Sequence, residues 1–185
     1  MFEELPFKKV ISLLNEYNIP YMVTGGLAVT VWGRIRSTLD IDIVLNIKKK
    51  DIENLVKVFQ KDFYIDAEAV AIALSKELSF NVIDFESNTK IDFYLVGNNE
   101  HEEERFQRRI VKNIVGLKVA VISPEDLILI KLQWYKNSDS TRHLEDAESI
   151  LKISQIDLEY IKERAKTQDT LETLEKILEK QIKND

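Results

Sequence analysis

Apolar positions recur with helical spacing at the start of the chain. From residue 4 to 18, Leu5, Val10, Ile11, Leu13, Leu14 and Tyr17 make one broad stripe, which Asn18 and Pro20 end. A short strand, YMVT, runs into Gly25-Gly26, and GLAVTVWG then reads as a short buried helix closed by Gly33 as its C-terminal cap. After the loop RIRST, the segment LDIDIVLNI alternates apolar and acidic residues at its start, which predicts a strand. Three lysines then open a solvated helix over roughly 50–61, with Ile52, Leu55, Val56 and Phe59 at helical spacing, and the stretch from Ala67 to Leu78 repeats that pattern. FNVIDF and KIDFYLV flank the turn-forming ESNT and predict an antiparallel hairpin. After an acidic helix, RRIVKNIV and LKVAVI, joined at Gly116, either extend the sheet or form a small hairpin beside it.

From Ser123 the pattern becomes helical. Ser123-Pro124-Glu125-Asp126 supplies an N-cap hydroxyl, a proline at the first helical position and an acidic third position. The helix it opens, LILIKLQWY, is apolar almost all round and is expected to be buried. Past the polar KNSDST, helices of about 12 to 15 residues fill the rest, the last with Leu171, Leu174, Leu178 and Ile182 on one face. That stripe is expected to pack within the chain, with a homodimer contact as the alternative. The pattern divides the chain into a core, 1–122, and a helical subdomain packed on it, 123–185, without repeats or low-complexity tracts.

Composition narrows the class. The 185 residues are 44% hydrophobic and 31% charged, enough for a buried core and unlike a disordered chain. Twenty-six basic against 32 acidic residues leave a net charge of −6, the reverse of a protein that lives by gripping nucleic-acid backbone. With no cysteine and two separated histidines, His101 and His143, neither disulfides nor a structural zinc site is available. MFEELPFKKV lacks the apolar core of a signal peptide, and no apolar run nears the ~20 residues that span a bilayer, so a cytoplasmic protein without membrane association is expected.

Candidate chemistry gathers where glycine does: three of only five glycines are Gly25, Gly26 and Gly33. Asp40 and Asp42 stand two apart on a strand, so both carboxylates share a face while Ile41 and Ile43 take the other. Alone, such a pair reads as a sheet edge facing water. Its setting changes that reading, because the Gly-Gly helix start offers backbone N–H groups and a dipole end to an anion. Arg34, Arg36, Ser37 and Thr38 add guanidinium and hydroxyl donors just before the carboxylates, equipment for holding a polyphosphate beside magnesium. Two-metal phosphoryl transfer, with cations about 3.5–4 Å apart, needs a third carboxylate. Asp92, on a strand face with Lys90 and Tyr94, is the preferred candidate, and Asp84 in FNVIDF is its competitor.

GGLAVTVWGRIRSTLDIDIVL resembles the signature of the DNA polymerase β-like nucleotidyltransferase superfamily: a Gly-Gly helix start, an aspartate pair on a strand and a later third aspartate. More narrowly, Arg36-Thr38-Asp40-Asp42 in R-x-T-x-D-x-D spacing, followed by SPEDLILIKLQWY, resembles the bacterial nucleotidyltransferases grouped with AbiEii-type toxins. The resemblance spans about residues 21 to 150. It implies an α/β (α+β) nucleotidyltransferase fold, with a mixed, mainly antiparallel sheet flanked by helices and a C-terminal helical subdomain. It also implies that Gly25 and Gly26 cradle nucleotide phosphates, that Asp40 and Asp42 bind two Mg2+ ions, and that Asp92 binds one of them and helps activate an acceptor hydroxyl. The expected substrates are a nucleoside triphosphate such as ATP and an acceptor that is tRNA, a protein or a small molecule. The alternative is a non-catalytic module of a toxin–antitoxin pair, since small members of the superfamily serve as antitoxins.

Other residues are weighed against that frame. Lys131 interrupts the apolar helix. It either snorkels to water or, as on the corresponding helix of such transferases, points its ammonium at the nucleotide phosphates, and the expense of an unpaired buried lysine favours the second. Arg142 and Asp146 match the family's R-x-x-x-D stretch without an assigned role. Trp32, Trp134 and Tyr135 read as core, and Arg105, Arg108 and Arg109 as a solvated helix end.

Overall fold

The computed structural model describes residues 5–184 apart from Leu39 and Glu77. Residue 4, where the first helical pattern starts, and Leu39 and Glu77, inside the expected strand and helix, therefore lie outside the described residues. The chain divides into two units, one comprising 1–27 with 37–122 and the other 28–36 with 123–185.

The first unit is built on a seven-stranded mixed sheet. Its strands are β1 (Tyr21–Val23), β2 (Ile41–Leu45), β3 (Phe63–Tyr64), β4 (Phe80–Asp84), β5 (Lys90–Leu95), β6 (Ile110–Ile114) and β7 (Leu117–Val121), in the order β3-β4-β5-β2-β1-β7-β6. Four neighbouring pairs are antiparallel, while β1–β7 and β2–β5 are parallel. The period-2 alternation decides which face is dry: Ile41, Ile43 and Leu45 of β2 and Ile91 and Phe93 of β5 are buried, leaving the intervening residues on the opposite face. Helix α1 (Leu5–Glu16) buries Phe7, Val10, Ile11 and Leu14. Of the two open readings for the second basic hairpin, the sheet takes it in, with β7 parallel to β1 and β6 at the edge. Its two-residue turn, Val115-Gly116, has φ of 47° and 83°, the left-handed pair that matches hairpin twist.

Phe59, Phe63, Phe80 and Phe93 form one aromatic cluster with centroid separations of 5.3–5.6 Å. Burying each such ring contributes about 1.5–3 kcal/mol. The lysine-led helix starts later than its sequence pattern implies: a 3-10 turn holds Lys49–Asp51 before α3 (Ile52–Phe59), whose buried face is Leu55, Val58 and Phe59. Helices α4 (Ala67–Lys76) and α5 (Glu100–Gln107) complete the unit.

Helix α2 (Gly25–Trp32) begins among the residues of the sheet unit and ends among those of the helical one. The helical unit adds α6 (Pro124–Ser138), α7 (Thr141–Ile153), α8 (Leu158–Thr167) and α9 (Leu171–Asn184). Ser123 caps α6: its Oγ accepts from the Asp126 N–H and donates to Asp126 Oδ2 at 2.6 Å, and the Tyr160 hydroxyl donates to the other carboxylate oxygen. Leu127, Ile128, Leu129 and Leu132 of α6 are fully buried.

Trp134 is 42% exposed near the end of α6, so it is not a core residue. On α9 the buried pair is Leu174 and Ile177, while Ile182 is 78% exposed. Gly33 follows the last residue of α2 and closes that helix as expected, but without a left-handed turn, since the positive-φ glycines are Gly25 and Gly116. Its N–H continues the helical bonding to Val29, and a Cβ there would stand 2.5 Å from Ser149 Oγ and 3.0 Å from Ile150 Cγ1. Smallness, not backbone freedom, is what α7 demands of it. No described helix is long and apolar enough to cross a membrane.

Candidate functional site

Strands β2 and β5 pair in parallel with Asp42 opposite Asp92 and Val44 opposite Tyr94. Because the neighbouring residues of both strands point into the core, these two carboxylates share the open face. Asp40 precedes β2 by one residue, exposed, with its N–H donating to Thr38 Oγ1 at 3.3 Å. The three carboxylates act together on two neighbours. Lys90 places its ammonium 2.8 Å from Asp92 Oδ2, and that bond, with further attraction from Asp92, Asp40 and Asp42, raises its pKa. The Tyr94 hydroxyl lies 3.5 Å from Asp42 Oδ1 and is pushed up to about 12, first by burial and then by the charges of Asp42 and Asp92, with Asp40 contributing.

Gly25 completes this face of the sheet unit. Its φ is +63°, and a Cβ at this position would collide with the Asp42 carboxylate. The Thr24 N–H donates to the Asp42 carbonyl at 3.0 Å, drawing the end of β1 onto β2. Only glycine lets the backbone turn there into α2 while the carboxylate lies against it. Gly26 follows in the first turn of α2 with a negative φ.

The donor chemistry of Asp40, Asp42 and Asp92 fits a hard divalent cation, and Lys90 already brings a positive charge to Asp92. Among the described residues, however, no group of three or more carboxylate or histidine side chains is already drawn together as a ligand set. Asp84 is engaged elsewhere. Fully buried, it binds Lys9 Nζ at 3.0 Å and accepts from the Ser87 N–H and hydroxyl at 2.8 and 2.7 Å, which makes it the organiser of the β4–β5 turn. Burial works to raise its pKa, but the Ser87 and Lys9 bonds outweigh that and hold it below the ordinary aspartate value.

The cations singled out by sequence converge within the helical unit. Arg34 donates from Nη1 toward Glu145 at 2.7 Å and from Nη2 to Asp146 Oδ1 at 3.2 Å. Arg36 Nε lies 3.4 Å from the same Oδ1, and Lys131 Nζ lies 3.1 Å from Oδ2. Both Asp146 and Lys131 are buried, so the snorkelling reading of Lys131 does not apply. Its ammonium also sits 4.9 Å from the Trp134 ring centroid, and Trp134 meets His143 edge-on. Asp146 is the residue whose role sequence reasoning left unassigned. The R-x-x-x-D spacing marked it, but only the fold shows three cations on one carboxylate. The Arg105 group is also not a solvated end: Arg105 is 8% exposed and bound to Glu102, and Arg109 stacks over Phe106 at 4.2 Å.

A family profile described as "Nucleotidyltransferase of unknown function (DUF6036)" matches residues 5–185. No curated protein shows a significant sequence match. Among solved structures, the antibiotic-resistance factor ANT(2")-Ia in complex with adenylyl-2"-tobramycin superposes with a TM-score of 0.61 at 15% identity, covering 89% of this chain and 95% of that one. The lincomycin-bound lincosamide antibiotic adenylyltransferase LnuA gives 0.51 at 14% identity over 77% and 96% of the two chains. An antigenic nucleotidyltransferase-like protein from Paracoccidioides brasiliensis gives 0.51 at 20% identity over 77% and 70%. At these identities the likeness is one of fold.

Proposed function

Since the chain belongs to the nucleotidyltransferase family DUF6036, whose profile matches it almost end to end, we propose that it moves a nucleoside monophosphate from a nucleoside triphosphate to an acceptor hydroxyl. In this reaction the acceptor oxygen forms a bond to the α-phosphorus, the bond from that phosphorus to the β-bridging oxygen breaks, pyrophosphate leaves, and the hydroxyl proton passes to a base. The observation that carries the reading is the parallel register that sets Asp42 opposite Asp92 on the open face of the sheet.

Asp40, Asp42 and Asp92 would hold magnesium, which when bound supplies charge neutralisation at the transferring phosphate. The chain itself does positioning. Gly25 keeps the Asp42 carboxylate against the turn into α2, and the start of that helix, with Gly26, suits a phosphate oxygen. Asp92 is the carboxylate suited to orient the acceptor hydroxyl and receive its proton, with the Lys90 ammonium 2.8 Å from its Oδ2. Thr38 braces Asp40 through its backbone N–H. Within the helical unit, Arg34, Arg36 and Lys131 are the cations suited to phosphate oxygens, all three in contact with Asp146. The adenylyl group named for two fold neighbours makes ATP the first donor to test. The R-x-T-x-D-x-D wording at Arg36 to Asp42 supports the narrower kinship with AbiEii-type transferases.

The test incubates the purified chain with each of the four α-labelled triphosphates, magnesium, and either total RNA or a panel of hydroxyl-rich small molecules. Label transfer that Asp42→Asn and Asp92→Asn each reduce at least 100-fold is the expected result. Neither transfer nor nucleotide binding with any triphosphate would overturn the proposal.

A further inference from the structure

The cationic segment 33–36 is fastened to one face of α7. Gly33 packs against Ser149 and Ile150, the Arg34 N–H donates to Ser149 Oγ at 3.2 Å, and Ser149 in turn donates to the Asp146 carbonyl at 2.8 Å. The Arg34 guanidinium reaches Glu145 and Asp146. Asp146 then gathers Arg36 and, from α6, Lys131. One fully buried carboxylate thus faces three cations that belong to two separate stretches of chain. Glu145 adds a second carboxylate on Arg34, but only Asp146 is met by all three cations, and it keeps them from repelling one another into other rotamers.

We propose that Asp146 is a positioning residue for nucleotide binding, holding Arg34, Arg36 and Lys131 in the geometry that receives the polyphosphate of the donor, with Ser149 fixing the backbone of the segment that carries the two arginines. The inference rests on the nucleotidyl-transfer reading and adds to it the device that shapes the cationic site. It also gives a reason for the glycine at 33: a Cβ there would press on Ser149 Oγ, the acceptor of the Arg34 N–H.

The geometry makes a prediction opposite to that of charge alone. If Asp146 contributed only its charge, removing it would leave more positive potential and tighten anion binding. If it positions the cations, removing it loosens binding despite the gain in positive charge. The experiment measures binding of inorganic pyrophosphate and of ATP to the full chain by calorimetry, for the wild type, Asp146→Asn and Ser149→Ala.

The expected result is at least a tenfold weaker pyrophosphate affinity in Asp146→Asn, and about threefold weaker affinity in Ser149→Ala, which removes the anchor without changing charge. In turnover, KM for the triphosphate should rise more than kcat falls. Affinity in Asp146→Asn equal to or tighter than wild type overturns the proposal and leaves the nucleotidyl-transfer reading standing. Should Asp146→Asn fail to fold, unchanged affinity in Ser149→Ala overturns it instead. Wild-type protein that binds neither probe overturns both.

Discussion

At the scale of the residue, Gly25 shows how one position serves conformation and chemistry together. An alanine there would sit in the left-handed region, a penalty of roughly 1–2 kcal/mol, and would also press on the Asp42 carboxylate. Gly25→Ala should therefore lower stability in urea by at least that penalty, and a variant as stable as wild type would show that the turn relaxes freely. Tyr94 reports on the same face. Its hydroxyl ionises near 12 because burial and the neighbouring carboxylates oppose a phenolate. Asp42→Asn should bring that ionisation down toward the ordinary 10.0, read by ultraviolet difference titration. No downward movement would mean that Asp42 is not a main source of the field at Tyr94. Alternation along KIDFYLV makes the shared face of Lys90, Asp92 and Tyr94 legible in the sequence. That Asp92 lies opposite Asp42 depends on β5 pairing in parallel with β2, which no local pattern states.

At the scale of the element, the legible features are those with a local cause. The β4–β5 hairpin announces itself through ESNT between two β-rich runs, and α6 through Ser-Pro-Glu-Asp, both of which the structure contains. Ser123→Ala should cost about 0.5–2 kcal/mol, measured by urea unfolding, because it removes the cap from the Asp126 N–H and one partner of the Asp126 carboxylate. A smaller loss would mean that the start of the helix is held without the Ser123 hydroxyl, with Tyr160 still on Asp126. Strand β3 escaped sequence reading since two residues carry no period. Gly33 marks the end of α2 in the sequence, but a helix-terminal glycine has two possible causes, left-handed φ or close packing. The deciding neighbours, Ser149 and Ile150, lie more than a hundred positions away.

At the scale of the whole molecule, the pH dependence of stability gives a prediction with a definite sign. Asp84 has a lower pKa folded than its ordinary 3.8, so it binds fewer protons in the native state than in the unfolded one. Its contribution is present above that ordinary value and is lost as pH falls through the depressed folded value. Unfolding midpoints followed downward from pH 5 should drop in the wild type, and the drop should be shallower in Asp84→Asn. Equal slopes would assign acid unfolding to other carboxylates. Lys9 lies on the other side of this bond with a raised pKa, first through Glu86 and then through Asp84, so its share fades only at strongly alkaline pH.

The division of the chain has a consequence for the order in which the protein is made. Residues 28–36 emerge early, yet the groups that secure them, Asp146, Ser149 and Ser154, come from α7 and the residue after it. At about 5–20 residues per second of synthesis, Trp32, Gly33 and the two arginines wait on the order of ten seconds for those partners. A fragment stopped at residue 122 would contain every strand of the sheet but would leave this segment permanently without its seat. The point at which the ribosome completes α7 is therefore the earliest moment at which the arginines can be locked in place.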